Sequence, residues 1–196
     1  MILSDRMIKN AILSGDIVID PFDPRSLGTN SYDVHLGDVL LTYRKASGNE
    51  IQIGDRPIFN LDAKWKSETN RHEIPSEGIL LHPGRLYLGS TVEYTETHRH
   101  VPFLDGKSSI GRLGITIHCT AGRGDVGFCN HWTLEIHVVQ EVRVYAGMPI
   151  GQLIYFQTGD VDVPYNKKPG AKYNERCSEP MPSQMWMNRW NTPKSK

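Results

Sequence analysis

The sequence predicts a mainly β fold, a distorted barrel or jelly-roll-like sandwich, in a single domain of 196 residues. Three observations carry that expectation. Short runs of β-branched and aromatic residues recur along the chain, Gly, Pro, Asn and Asp clusters separate them, and one segment alone has convincing helical periodicity. That segment opens the chain: Ser4 can cap a short helix in which Ile8, Ala11 and Ile12 share a face, and Gly15 suits its end.

The β-forming runs follow in order: IVI at 17–19, DVLLTY at 38–43, GILL at 78–81, LYLGSTVEY at 86–94, GITIHCT at 114–120, TLEIHVV at 133–139, VRVY at 142–145 and GQLIYF at 151–156. The stretch from Ala46 to Arg71 is the most polar of the interior and reads as a loop. Past Pro164 the chain becomes polar and aperiodic and is broken by three prolines within YNKKPGAKYNERCSEPMPSQ. Residues from about 165 to 196 therefore read as a tail, either disordered or ordered only against another surface. The terminal MWMNRW run has no assigned role.

Basic and acidic side chains balance at 22 each, so no general pull toward a nucleic acid polymer or an anionic membrane is expected, and any phosphate must be held locally. Three cysteines, Cys119, Cys129 and Cys177, are an odd number without close pairing, which argues for a reducing compartment and a cytoplasmic home. The charged N-terminal segment MILSDRMIKN and the lack of any run of about 18 apolar residues predict neither export nor membrane insertion.

Three segments could carry chemistry. DGKSSIGRLG, from Asp105 to Gly114, gathers Lys107, Ser108, Ser109 and Arg112 around the backbone amides near Ile110 and Gly111, a set suited to an oligophosphate. The same residues would equally make a polar turn between strands. AGRGDVG offers Arg123 as a donor fork and Asp125 as an acceptor, with glycines that let backbone approach a ligand, or else forms a tight surface turn.

In the strand that follows, Leu134, Ile136 and Val138 point one way, and Thr133, Glu135, His137 and Val139 the other. Glu135 is thus opposite the obvious core. On an open face it is an ordinary exposed carboxylate; lining a cleft, it is desolvated enough to take up and release a proton. The zinc signature of cytidine-type deaminases, H-x-E with P-C-x-x-C, is missing, and the eight histidines show no H-x-x-x-H. No zinc and no protein-bound metal are expected.

Taken in chain order, several motifs resemble the dCTP deaminase family of the trimeric dUTPase-like superfamily. They are MILSDRMI at the start, NSYDVHLG at 30–37, LHPGRLYLGSTVEY at 81–94, GKSSIGRLG at 106–114, TAGRGDVGF at 120–128, TLE at 133–135, and PYN and AKY between 164 and 173. The likeness spans nearly the whole chain. It implies a dUTPase-type β-barrel, a homotrimer with active sites between subunits, a C-terminal tail closing over a deoxycytidine nucleotide, and magnesium carried on the triphosphate. The implied reaction is zinc-independent deamination of dCTP to dUTP and ammonia, feeding dUMP and dTTP synthesis.

By that resemblance Glu135 is the general base and then acid, while Ser108, Arg112 and the carbonyl of Ala121 position the water and stabilise the intermediate. Lys107, Ser109, Tyr165 and Lys172 correspond to phosphate-side contacts, Asp125 to the sugar-side contact, and backbone groups of Thr133 and Leu134 to readers of the cytosine edge. Ile110, Gly111, Arg123 and Arg176 complete the substrate-side set. The chain departs from the family pattern in having Gly122 for histidine, Val126 for proline, Lys107 for arginine and Arg176 for a phosphate-side glutamine.

Two other functions compete. One is a dUTP diphosphatase, or a bifunctional enzyme in which Asp125 also activates water toward the α-phosphate; Arg123, where the bifunctional branch tends to have tryptophan, ranks it second. The other is a nucleotide sensor that binds without turnover, against which the retained Glu135, Ser108 and Arg112 set argues.

Overall fold

The computed structural model describes residues 1–44 and 68–187. Helix α1 (Asp5–Leu13) forms where the periodicity predicts it, with the Ser4 hydroxyl accepting from Met7 N and Ile8 and Ala11 buried. Gly15, just past its end, has φ of 77°, the left-handed conformation that favours glycine there. Most of the predicted loop from Ala46 to Arg71 lies outside the described residues, as does the end of the MWMNRW run from 188 onward.

Among the described residues, ten strands make the body. They are β1 (Ile17–Asp20), β2 (Tyr32–Tyr43), β3 (Thr69–Glu73), β4 (Ile79–Leu81), β5 (Tyr87–Thr97), β6 (His100–Gly106), β7 (Ile115–Thr116), β8 (Cys129–Val138), β9 (Val142–Val144) and β10 (Pro149–Gln157). Eight of them form one antiparallel sheet whose main path runs β6-β10-β2-β5-β8-β7, with β1 on β5 and β3 on β2; β4 and β9 pair separately. Register shifts between Leu36 and Leu40 on β2, and between Ser90 and Tyr94 on β5, break the ladders where each long strand changes its pairing. Such irregularities bend and twist strands, and the sheet curls into a nearly closed barrel. The mainly β expectation holds.

Two strands escape sequence reading for opposite reasons. β6 contains Pro102, which weakens a strand signal; the structure puts it at the edge of the sheet, pairing with β10 alone along the main path. β3 is TNRHE, polar on both faces, and among the described residues it also has a single neighbour, β2. A third difference is a single helical turn, α2 (Ser108–Gly111), within the segment read as a phosphate loop or polar turn; its one buried residue, Ile110, anchors it.

The core is built from alternation. On β8, Asn130, Trp132, Leu134, Ile136 and Val138 are buried, and Cys129, His131, Thr133, Glu135 and His137 are half-buried on the other face. Leu134 and Ile136 are fully buried, a burial that contributes about 1.5–3 kcal/mol per side chain. A one-residue slip would push Glu135 and His137 into that core, so apolar packing holds the register that presents Glu135 outward. A second, smaller apolar cluster of Val39, Leu41 and Leu88, with Tyr43 and Leu86 beside it, lies apart from the main core. Among the described residues no helix is long and apolar enough to cross a membrane.

Candidate active site

The outer face of β8 floors a cavity of about 640 Å³. Glu135 and Thr133 reach it from the strand, Cys119, Ala121, Arg123 and Asp125 from the preceding loop, Leu86 and Leu88 from β5 and its approach, and Tyr165, Tyr173 and Met181 from the tail. Glu135 therefore lines a cleft. Its Oε2 accepts from the backbone N–H of Cys119 at 2.7 Å, and its own backbone N–H donates to Ile117 O at 2.8 Å. One carboxylate oxygen is thus fixed by a hydrogen bond from the main chain.

The loop from Cys119 to Phe128 is shaped by its own chain. Leu104 N donates to Gly122 O at 2.6 Å, Gly124 N to Pro102 O at 2.9 Å, and Phe128 N to Asp125 O at 3.1 Å. A Cβ at Gly122 would meet Leu104 O at 2.5 Å, and one at Gly124 would meet the Trp132 ring at 2.7 Å. The close approach that these glycines permit is therefore to β6 and β8, and it turns Arg123 and Asp125 outward to the cavity.

The tail finds its surface on this same chain. After Pro164, Tyr165 N donates to Val126 O at 2.8 Å and the Tyr165 ring packs near Phe128. Asn130, 1% exposed, donates through Nδ2 to Tyr173 O and Glu175 O, while its Oδ1 accepts from Cys177 N at 3.0 Å. Farther on, Met181 N donates to the Thr133 hydroxyl at 3.0 Å and Ser183 N to the Tyr43 hydroxyl at 3.0 Å. Ser178 O accepts from Ser90 Oγ at 2.8 Å, and Glu179 pairs with Arg71. Lys172 is half-buried, and the Arg176 guanidinium lies 4.1 Å over the Tyr94 ring; neither lines the cavity.

The expected site residues thus fall into two groups. Glu135, Ala121, Arg123, Asp125, Thr133 and Tyr165 come together, with the Leu134 side chain turned to the core behind them. Lys107, Ser108, Ser109, Ile110, Gly111 and Arg112, like Lys172 and Arg176, do not line this cavity. Lys107 instead makes an ion pair with Asp33, while Ser108, Ser109 and Arg112 are exposed on α2.

Sequence reasoning missed Cys119, whose main chain holds the glutamate, and Asn130, which pins the tail. Asn130 left a signal: it is a polar residue at an inward position of a strand whose next inward residues are Trp132, Leu134 and Ile136. Partial burial, and next the Glu135 carboxylate beside it, push the Cys119 thiol above its ordinary range. Removing that negative charge in Glu135→Gln should favour the thiolate. Alkylation of Cys119 by iodoacetamide at pH 8, followed peptide by peptide, is expected to quicken about two- to fivefold; an unchanged or slower rate would refute the contact.

A sequence profile described as dCTP deaminase-like matches residues 2–158. The chain belongs to this family. Among its relatives, a Clostridium acetobutylicum protein named dCTP deaminase, dUMP-forming, is 47% identical over 173 residues, covering 88% of this chain and 90% of the relative. A Cytophaga hutchinsonii protein of the same name is 50% identical over 155 residues, covering 79% and 82% respectively. The fold is similar to that of the crystal structure of 2′-deoxycytidine 5′-triphosphate deaminase from Agrobacterium tumefaciens, with a TM-score of 0.58 at 18% identity. That match covers 83% of this dCTP deaminase-like chain, which spans half of the Agrobacterium chain.

Proposed function

We propose that the protein hydrolyses dCTP to dUMP, releasing ammonia and pyrophosphate. The observation that carries this reading is the presence of two carboxylates, Glu135 and Asp125, in one cavity, the first of them oriented by a backbone N–H. Each suits one hydrolytic step. Glu135 takes a proton from a water whose oxygen adds to C4 of the cytosine, and returns a proton to the exocyclic amine as the C4–N bond breaks. The carbonyl of Ala121, on the same cavity wall, accepts from that water. Asp125 then activates a second water toward the α-phosphate, and pyrophosphate departs, so that dCTP and two waters give dUMP, ammonia and pyrophosphate.

Sequence features alone favoured dUTP as the end product. The names of the Clostridium and Cytophaga relatives shift the balance to dUMP. Magnesium enters on the phosphate oxygens of the nucleotide and offsets their charge; the exposed Asp125 carboxylate is the hard oxygen donor on the loop that could face it.

The cations and hydroxyls of Lys107 to Arg112 are the missing half of a triphosphate site, and a second copy of the chain is the simplest source of them. A homotrimer with each site shared between neighbours supplies Ser108 and Arg112 to the water and intermediate, and Lys107, Ser109 and the Ile110 and Gly111 amides to the phosphates. Tyr165, Lys172 and Arg176 would join them once the tail reseats on bound nucleotide.

The test separates the steps. With dCTP as substrate, ammonia and pyrophosphate measured independently should appear in equal amounts, with no accumulation of dUTP. Asp125→Asn should cut pyrophosphate release by about 10²-fold or more while ammonia release continues, so that dUTP builds up. Ammonia without pyrophosphate from the unaltered protein would reduce the reaction to deamination, and binding without either product would make the protein a sensor.

A further inference from the structure

Cys129 begins β8 opposite Glu96 of β5, and the two are direct partners in the antiparallel register. Cross-strand partners project to the same side of a sheet, and period-two alternation brings His98, two residues beyond Glu96, toward that side. The side chains converge as this predicts. His98 Nε2 and Glu96 Oε2 are 2.8 Å apart, and the Cys129 sulfur, the His98 nitrogen and the Glu96 oxygen all lie within 4.8 Å of one another.

We propose that Glu96, His98 and Cys129 bind a divalent cation of zinc type. A thiolate, a neutral imidazole and a carboxylate are the donor kinds that zinc takes, and the sulfur discriminates against magnesium and calcium. Around a tetrahedral zinc, neighbouring donor atoms stand about 3.3–3.8 Å apart, so small side-chain rotations from the present positions complete the set. On binding, the Cys129 thiol gives its proton to solvent, and the thiolate and carboxylate together balance the two charges of the ion. Side-chain exposures of 27% for Glu96 and 39% for His98 leave room for a water as fourth ligand.

The surroundings favour such a site. Tyr94 Oη donates to Glu96 Oε1 at 2.8 Å, fixing the carboxylate from behind while Oε2 points at the other two donors. Outer hydrogen bonds of this kind orient metal ligands. Among the described residues the sulfur's hydrogen-bond partners are long, Gly127 O at 3.5 Å and Asn166 Nδ2 at 3.9 Å, and a metal bond readily replaces them.

None of the three residues lines the cavity that holds Glu135, although Phe128 and Asn130 on either side of Cys129 do, and Cys129 is six residues from Glu135 along β8, about 20 Å. The ion therefore stands away from the water that Glu135 activates. It braces the corner where the loop before β8 meets the start of the tail at Asn166.

Titration of the full-length protein with Co²⁺, a coloured stand-in for zinc, tests the site without reference to turnover. One equivalent per chain should bind with a thiolate-to-cobalt charge-transfer band, and Zn²⁺ should displace it. Cys129→Ser should abolish the band, and His98→Ala, an exposed change that the fold tolerates, should weaken binding at least about tenfold. Cys119→Ser and Cys177→Ser should leave the band intact. Absence of the band in the unaltered protein, its survival in Cys129→Ser, or unchanged affinity in His98→Ala would each overturn the proposal.

Discussion

Glu135→Gln is expected to lower ammonia release from dCTP by about 10³-fold or more while the protein folds and binds nucleotide as before. The substitution is nearly isosteric, and the glutamine oxygen can still accept from the Cys119 N–H that holds Oε2 at 2.7 Å. What it removes is the capacity to accept and return a proton, on which both halves of the proposed deamination rest. Nucleotide affinity measured by calorimetry should stay within about threefold, because the lost interaction belongs to the transition state. A variant that retained more than roughly a few per cent of turnover would show that another group moves the proton.

Mixing two inactive variants should restore activity. Arg112→Ala keeps Glu135, and Glu135→Gln keeps Arg112. If each site joins the Glu135 cavity of one chain to the α2 turn of its neighbour, a trimer containing both variants has an intact site where the right neighbours meet. Equimolar chains, unfolded and reassembled together, pair correctly in about half times half of all sites, giving about a quarter of the unaltered activity. A mixture as inactive as its parents would mean that Arg112 serves the cavity of its own chain or serves none. The prediction grows directly from the exposure of Ser108, Ser109 and Arg112 away from the cavity.

How much of this was legible in the sequence depended on whether the signal was local. The α1 cap, the alternation of β8 and the placement of Glu135 opposite Leu134 and Ile136 follow from side-chain periodicity, which each segment carries within itself. β6 was hidden because a proline is acceptable only at an edge, and edges are a property of the whole sheet. The spacing of the glycines from Gly122 to Gly127 suggested room for a ligand, whereas the room is taken by Leu104, Trp132 and Pro164. The tail was legible as a change of composition, but its seat was not. That seat depends on Asn130, Thr133 and Tyr43, which lie far away in the chain and offer single hydrogen-bonding atoms.

The small apolar cluster of Val39, Leu41 and Leu88 has its own bearing on handling the protein. Leu88, Leu86 and Tyr43 also line the cavity, and the tail from Ser178 to Ser183 forms the cover over them. Hydrogen bonds between its main chain and the side chains of Ser90, Thr133 and Tyr43, together with the Arg71–Glu179 ion pair, hold that cover. A protease nick or a bulky C-terminal fusion that lifted it would lay bare a greasy, aromatic-rimmed patch on an otherwise intact barrel. The damaged molecule would then clump through that patch while its β-sheet spectrum still looked native.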